Sequence, residues 1–346
     1  MVTLKDIAKR CGVTTATVSN IINGKTKASP ETTEKVMAVV KELGYRPNVI
    51  AQGLRGTRTH TIGVIVEDIT LFNAPKIIVS FMGHCEELGY RAVIENMRFY
   101  VRQGEGWTDE SRLQYRKAVL EAVDKLKSIK VDGIVYVACH SREIDYLPDD
   151  PDFPAVMVYA YPTAKCIPRI VLDDEKCSYE MVKYLISKGH ERIGLIAGGN
   201  DNMHTQKRIV SYQKALFESG LPFNPDMIYH DKWDRKCGYD GAKKLVSKGV
   251  TAIYCLNDEM AGGAYDYLRE KGIKVPDDVS VVGHDNRDMA SFLYPGLTTI
   301  DLPLYHMGWA AAGKIVSIIE GKSRMDGKLE VCNCRIIERE SVKARK

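Results

Sequence analysis

Two sets of residues in this 346-residue sequence have types and spacings suited to chemistry. The first lies in VTTATVSNIIN, residues 13–23, where Thr14, Thr15, Ala16, Thr17, Ser19 and Asn20 bring short hydroxyls and an amide to a segment otherwise made of branched apolar residues. A merely solvated helix face would carry Glu and Lys, which form helices better. Short hydroxyls and amides allow close approach and both donate and accept hydrogen bonds, which is what phosphates and base edges in a major groove demand. The second set is a series of polar clusters, each just after a short apolar run: DITLFNAP (68–75), YAYP (159–162), LDDE (172–175), GGNDNMHTQKR (198–208), DKWD (231–234), LNDE (256–259) and GHDNRD (283–288). Parallel strands would deliver such clusters to one edge, where open α/β sheets bind their ligands. Paired carboxylates, amides and an aromatic plate suit the hydroxyls and C–H faces of a sugar.

Covalent catalysis is not expected. The chain has no G-x-S-x-G, H-E-x-x-H, P-loop or G-x-G-x-x-G, and QGEGW lacks the third glycine. His190 and His284 have no nucleophile in view. The nine cysteines are scattered without paired C-x2-C spacing, so they read as reduced thiols, with Cys332 and Cys334 expected on one face of a strand. No metal and no cofactor are expected. The N-terminus lacks an apolar block and no run approaches eighteen apolar residues, so the expectation is a cytoplasmic protein without a membrane partner.

The elements that must position the first set form a small basic head. Residues 1–60 hold six more Lys and Arg than Asp and Glu, while the whole chain is only +4; the excess points to a polyanion for the head alone. Thr3 and Asp6 form a capping box ahead of an apolar stripe of Leu4, Ile7, Ala8 and Cys11, stopped by Gly12. Thr14 caps a second helix with Val18, Ile21 and Ile22 inward, closed by Asn23-Gly24. Ser29 and Pro30 start a third, with Val36, Val39, Val40 and Leu43 inward and Gly44 as the stop. Three narrow apolar stripes can share one core, and the short glycine-containing turn between the first two makes a helix-turn-helix. Asn48 can cap a further helix to Arg55, but eight residues are too few to persist alone. Ordering them costs roughly 1–2 kcal/mol per residue, so something must stabilise them, such as a second copy of the chain plus DNA. Leu54 beside Arg55 suits a wedge in a kinked minor groove; a plain linker with Leu54 docked on the body is the other reading.

From residue 61 short apolar strands alternate with amphipathic helices, too many for one parallel sheet, so two similar doubly wound subdomains are expected. The sequence up to Gly56 closely resembles the head of the LacI family of transcriptional regulators. TIGVIV, VDGIVYV, LISKGHERIGLIAG, CLNDEMAGGA, DVSVVGHDN and LTTIDLP extend the resemblance through the chain in the family's order. It implies an α/β protein: a helix-turn-helix domain over 1–47, a hinge helix and linker over 48–59, and a periplasmic-binding-protein-like effector and dimerisation domain over 60–346. Crossings are implied near 161, 293 and 324, giving one subdomain of about 60–161 and 293–323 and another of about 162–292 and 324–346.

The resemblance also implies roles. Thr15, Ala16 and Asn20 would read bases, Thr14, Thr17 and Ser19 would lie at or near phosphates, Asn48 would begin the hinge helix, and Leu54 with Arg55 would meet the minor groove. Asn20 stands where many relatives have Arg or His, which implies adenine rather than guanine at that operator base. Arg208 and Asp285 match effector-binding positions, with Asn257, Trp233 and Asp173 as further matches; Arg208 could instead pair with Asp201, and Asp285 could cap the next helix. Asn73-Ala74-Pro75 resembles the loop of lactose-responsive members and lacks the paired aromatics of purine-responsive ones, and Tyr159 replaces a usual Asp or Asn. The segment 97–117 is long, and Phe99, Tyr100 and Trp107 either reach over the cleft mouth or pack on the surface. The expected partners are double-stranded operator DNA, a small-molecule effector of saccharide type and a second copy of the chain in a homodimer without a tetramerising tail. A nucleobase-responsive regulator and a sugar-binding protein without DNA regulation are the alternatives.

Overall fold

A computed structural model of the chain describes residues 2–22, 28–45, 58–103, 108–199 and 202–345. These divide into two units, Met1–Thr59 and His60–Lys346. The hinge positions Asn48, Leu54 and Arg55, the closing Asn23-Gly24 pair, Trp107 and Asp201 lie outside the described residues.

In the head, α1 (Leu4–Cys11), α2 (Thr15–Ile22) and α3 (Pro30–Glu42) enclose a core of Ile7, Ala8, Cys11, Val18, Ile21 and Val36. The local start and stop chemistry is what shapes them. Thr3 and Asp6 form the reciprocal capping box, and Gly12 ends α1 at φ +69°, a left-handed conformation that glycine adopts without a Cβ clash. The Thr14 hydroxyl accepts from the Thr17 backbone N–H at 3.1 Å, capping α2. Ser29 accepts from the Thr32 N–H with Pro30 at the first helical position of α3.

The body contains a six-stranded parallel sheet in the order β13-β7-β5-β3-β1-β2, formed by β1 (Thr61–Val66), β2 (Arg91–Asn96), β3 (Gly133–Val137), β5 (Ala155–Val158), β7 (Arg169–Leu172) and β13 (Leu329–Cys332). Helices α4 (Asn73–Glu87), α5 (Phe99–Gln103), α6 (Asp109–Ser128) and α12 (Leu304–Ile319) accompany this first lobe. The second lobe is a four-stranded parallel sheet, β11-β10-β8-β9, from β8 (Ile193–Ala197), β9 (Ile228–His230), β10 (Ala252–Cys255) and β11 (Ser280–Val282). Its helices are α7 (Asp174–Ser187), α8 (Met203–Glu218), α9 (Arg235–Val246), α10 (Asp258–Glu270) and the short α11 (Met289–Phe292). Most central strands are buried along their length, the pattern of parallel sheets covered on both faces. β4 (Glu143–Ile144) and β6 (Tyr161–Pro162) form a small extra pair. Two crossover strands, β12 (Thr299–Asp301) and β14 (Arg335–Ile337), pair antiparallel with each other.

The crossings differ from the expected positions. Arg169–Leu172 pairs with β5, and Leu329–Cys332 pairs with β7, so both strands complete the first sheet rather than joining the second lobe. The chain therefore leaves the first sheet after 172 and after 332, not near 161 and 324. A buried strand reads the same in either sheet, so hydrophobic pattern alone cannot assign it. The same crossing corrects the cysteine expectation: β13 ends at Cys332 and Cys334 falls in the link before β14, so the two thiols do not share one strand face. Among the described residues no helix is long and apolar enough to cross a membrane.

Candidate functional site

On the head, Thr14, Thr15, Ala16 and Asn20 are exposed, while Thr17 and Ser19 are half-buried. Val18 and Ile21 point the other way, into the core, so helical periodicity turns Thr15, Ala16 and Asn20 outward together. The Thr14 and Thr17 hydroxyls lie 2.9 Å apart at the start of α2. That helix has no acidic residue in its first turn, so its N-terminal N–H groups meet no competing carboxylate on their own helix.

In the body, the C-terminal ends of both sheets enclose a cavity of about 230 Å³. The first lobe supplies Thr70, Leu71 and Phe72 after β1, Tyr100 from α5, His140 after β3 and Tyr159 after β5. The second supplies Asn202, His204 and Arg208 around α8, Trp233 before α9, Asn257 and Glu259 around the start of α10, and Asp285 and Arg287 after β11.

Beneath the cavity lies a buried ion network. Arg208, 2% exposed, donates through Nε and Nη2 to Asp174 Oδ1 at 2.9 and 2.8 Å, and through Nη1 to the Leu256 carbonyl at 2.8 Å. His204 Nδ1 is 2.8 Å from Asp174 Oδ2, and His204 Nε2 accepts the Ser141 backbone N–H at 3.1 Å. A backbone N–H can only donate, so Nε2 carries the lone pair and Nδ1 the proton. One imidazole therefore ties the loop after β3 in the first lobe to α7 and α8 in the second. Burial by itself would raise the Asp174 carboxyl, but His204 and Arg208 outweigh it and hold the group far below the usual carboxylate range.

Asp285 stands differently. It is 7% exposed, and among the described residues no hydrogen bond or ion pair reaches its carboxyl. Burial pushes that carboxyl well above its ordinary value, against the pull of Arg208. Its backbone, at φ +103°, and that of Tyr159, at φ +70°, occupy the left-handed region. Such residues cost of order 1–3 kcal/mol each and persist only where their surroundings over-determine them. Asp285 is held by its N–H to the Ile300 carbonyl at 2.9 Å, and Tyr159 by its N–H to the Ile170 carbonyl at 2.8 Å. Trp233 forms a flat wall because Gly198 at the end of β8 has no side chain: a Cβ there would meet the indole at 2.0 Å. Asn257 caps α10 through Oδ1 and donates through Nδ2 to the Trp233 carbonyl at 3.3 Å, fixing that wall.

The structure thus gathers five of the seven residues expected in the cavity: Tyr159, Arg208, Trp233, Asn257 and Asp285. Two stand elsewhere. Asn73 is the first residue of α4 and fully buried, its Nδ2 donating to the Ala138 and Cys139 carbonyls, and the preceding Thr70, Leu71 and Phe72 line the cavity instead. Asp173 caps α7, accepting the Lys176 N–H at 3.0 Å, and the neighbouring Asp174 makes the contact with Arg208. Phe99 packs inside the first lobe, 2% exposed and with the Arg142 guanidinium 4.8 Å from its ring, whereas Tyr100 reaches the cavity and bonds His140. Burial and the nearby His204 and Arg142 lower His140 to about 4, so it meets Tyr100 as a neutral ring. Asp174, His204, His140, Glu259 and Arg287 were not singled out from the sequence; all but His140 lie within its polar clusters, and His140 directly follows the VYVAC run of β3.

Comparison with known proteins gives this arrangement its context. Residues 3–48 match the model of bacterial regulatory proteins of the lacI family, and residues 182–342 match a periplasmic binding protein-like domain. The HTH-type transcriptional regulator RegA of Clostridium saccharobutylicum is 33% identical over 98% of each chain. The HTH-type transcriptional repressor PurR of Vibrio parahaemolyticus is 33% identical over 93% of each. The fold matches that of a lac repressor dimer bound to operator and the anti-inducer ONPF, with a TM-score of 0.81 and 24% identity over 99% of each chain. The chain is a DNA-binding transcriptional regulator and not an enzyme, with an N-terminal helix-turn-helix and a periplasmic-binding-protein-like body, and it belongs to the lacI family of bacterial regulatory proteins.

Proposed function

We propose that this regulator is a repressor that binds its operator as a homodimer, and that a saccharide held between the two lobes of the body controls that binding. The observation that carries the ligand class is the pattern of compensation in the cavity. Arg208 is matched by Asp174 and Arg287 by Glu259 at 2.9 Å, so among the described residues that line the cavity no free arginine or lysine favours a phosphate or carboxylate ligand. What remains is a buried carboxyl at Asp285, the flat face of Trp233, and polar groups of Tyr159 and Asn202. Those groups complement a neutral ring with several hydroxyls, and the small volume suits a compact ligand.

Thr15, Ala16 and Asn20 read bases in this scheme, and Thr14, Thr17 and Ser19 engage phosphates. One head reads a half-site, so a dimer is required. Phe292 and Tyr294, 82% and 96% exposed, offer an apolar surface for a second copy. Asn48, Leu54 and Arg55 complete the DNA contacts in this reading, with Leu54 and Arg55 at the minor groove. The effector acts by preferring one lobe arrangement over another, and shifts the equilibrium by that difference in affinity alone.

Calorimetry of the full chain against neutral saccharides and nucleobases tests the ligand class. A saccharide should bind, Asp285→Asn should weaken it at least about tenfold, and the bound sugar should change duplex affinity. A panel in which only nucleobases bind would overturn the saccharide reading. Duplex binding should fall steeply with salt and vanish on deletion of residues 1–59.

A further inference from the structure

Outside the cavity, three different metal-ligating side chains converge on one spot of the first lobe. The donor atoms of His306, Glu330 and Cys332 all lie within 4.8 Å of one another. His306 sits in the first turn of α12; Glu330 and Cys332 are two apart on β13, so strand alternation turns both to the same face. β13 is the edge strand of its sheet, and His306 and Glu330 are exposed, so the spot is reached from solvent. Among the described residues none of the three side chains makes a hydrogen bond or ion pair with anything outside the group; the one ring contact is His306 beside Trp309, at 6.2 Å and nearly parallel.

We propose that His306, Glu330 and Cys332 form a binding site for a divalent metal ion of the zinc class. An imidazole, a carboxylate and a thiolate are the nitrogen, oxygen and sulfur donors that such an ion takes, and three protein ligands leave a fourth position for water. The thiolate and carboxylate together neutralise the double charge. Ligand identity also discriminates among ions. The Cys332 thiol must give up its proton to bind, so the ion must be soft enough to displace it. Magnesium and calcium, which take oxygen ligands, would not.

The placement gives the site a consequence. His306 follows β12 by five residues and Cys332 precedes β14 by three, and β12 and β14 are the paired crossover strands. A bound ion would clip the first-lobe ends of both crossovers together and stiffen the link through which the lobes move.

The test is a titration of the reduced, chelator-stripped full chain with Co²⁺, followed by displacement with Zn²⁺. One equivalent per chain should bind with a sulfur-to-cobalt charge-transfer band that Zn²⁺ removes and Mg²⁺ leaves. Cys332→Ser should abolish the band. Glu330→Gln and His306→Ala, both at exposed positions that the fold tolerates, should each weaken affinity by about tenfold or more. Absence of the band, a band that survives Cys332→Ser, or affinities unchanged in both exposed variants would each overturn the proposal.

Discussion

Thr15, Ala16 and Asn20 on α2 stand in the open, whereas Arg208, Asp174 and His204 are buried in an ion network at the wall of the cavity. Water satisfies the exposed groups, so they carry little of the head's stability and can be exchanged to suit another sequence of bases. The buried groups have no such substitute: a lone charge there costs several kcal/mol, so they must satisfy one another before they can meet a ligand. If these residues read bases as proposed, the head keeps its recognition chemistry apart from its folding chemistry. In the body the two are merged, and only side chains left over from the network, Asp285 above all, are free to recognise.

The largest test of that contrast is Asp174→Ala. It strands the Arg208 guanidinium and removes the partner of His204, and should cost about 3–5 kcal/mol in urea unfolding of the body; a loss below 1 kcal/mol would mean the network is not structural. On the head, Asn20→Arg should leave unfolding unchanged while moving base preference from adenine to guanine, a discrimination of about 1–3 kcal/mol read by binding-site selection. Selection that returns guanine for the unaltered chain would refute that assignment. Thr14→Ala sharpens the comparison, because Thr14 is the one member of the head's polar set that also caps its helix. It should cost the head about 1 kcal/mol, seen as earlier melting of its helical signal, and weaken duplex binding too.

The last test is a pH dependence of the body. Burial raises Asp258 to about 7, although the Thr299 hydroxyl and the Arg287 N–H both donate to it at 2.6 Å. Its folded value exceeds its unfolded one, so between them the native state binds more protons and this group's contribution falls as pH rises. Stability should decline from about pH 4 to 7 and level off above that. Asp258→Asn, which cannot ionise, should flatten the decline; an unchanged slope would assign it to other groups.

Local features were legible because they depend on neighbours in sequence. The Thr3–Asp6 box, the Gly12 stop, Ser29-Pro30 and the outward face of α2 follow from spacing alone. In the body, the strand and helix alternation was equally plain. The partner of Arg208 was not: spacing offered Asp201, and the fold supplies Asp174, 34 residues away. Asp173 and Asp174 illustrate the limit, since adjacent residues at a helix start point about 100° apart and only one can face the guanidinium. Tyr100 and Phe99 divide in the same manner, one to the cavity and one to the lobe core. Sheet membership of β7 and β13 depends on long-range pairing, which no local pattern records.

The bond from the Ser141 N–H to His204 Nε2 carries a practical consequence. This amide is shielded by an acceptor rooted in the opposite lobe, so solvent deuterium can reach it only when the lobes part. Its exchange rate is a built-in clock for opening, readable in the intact chain without any label, and an effector that favours the shut arrangement would slow it.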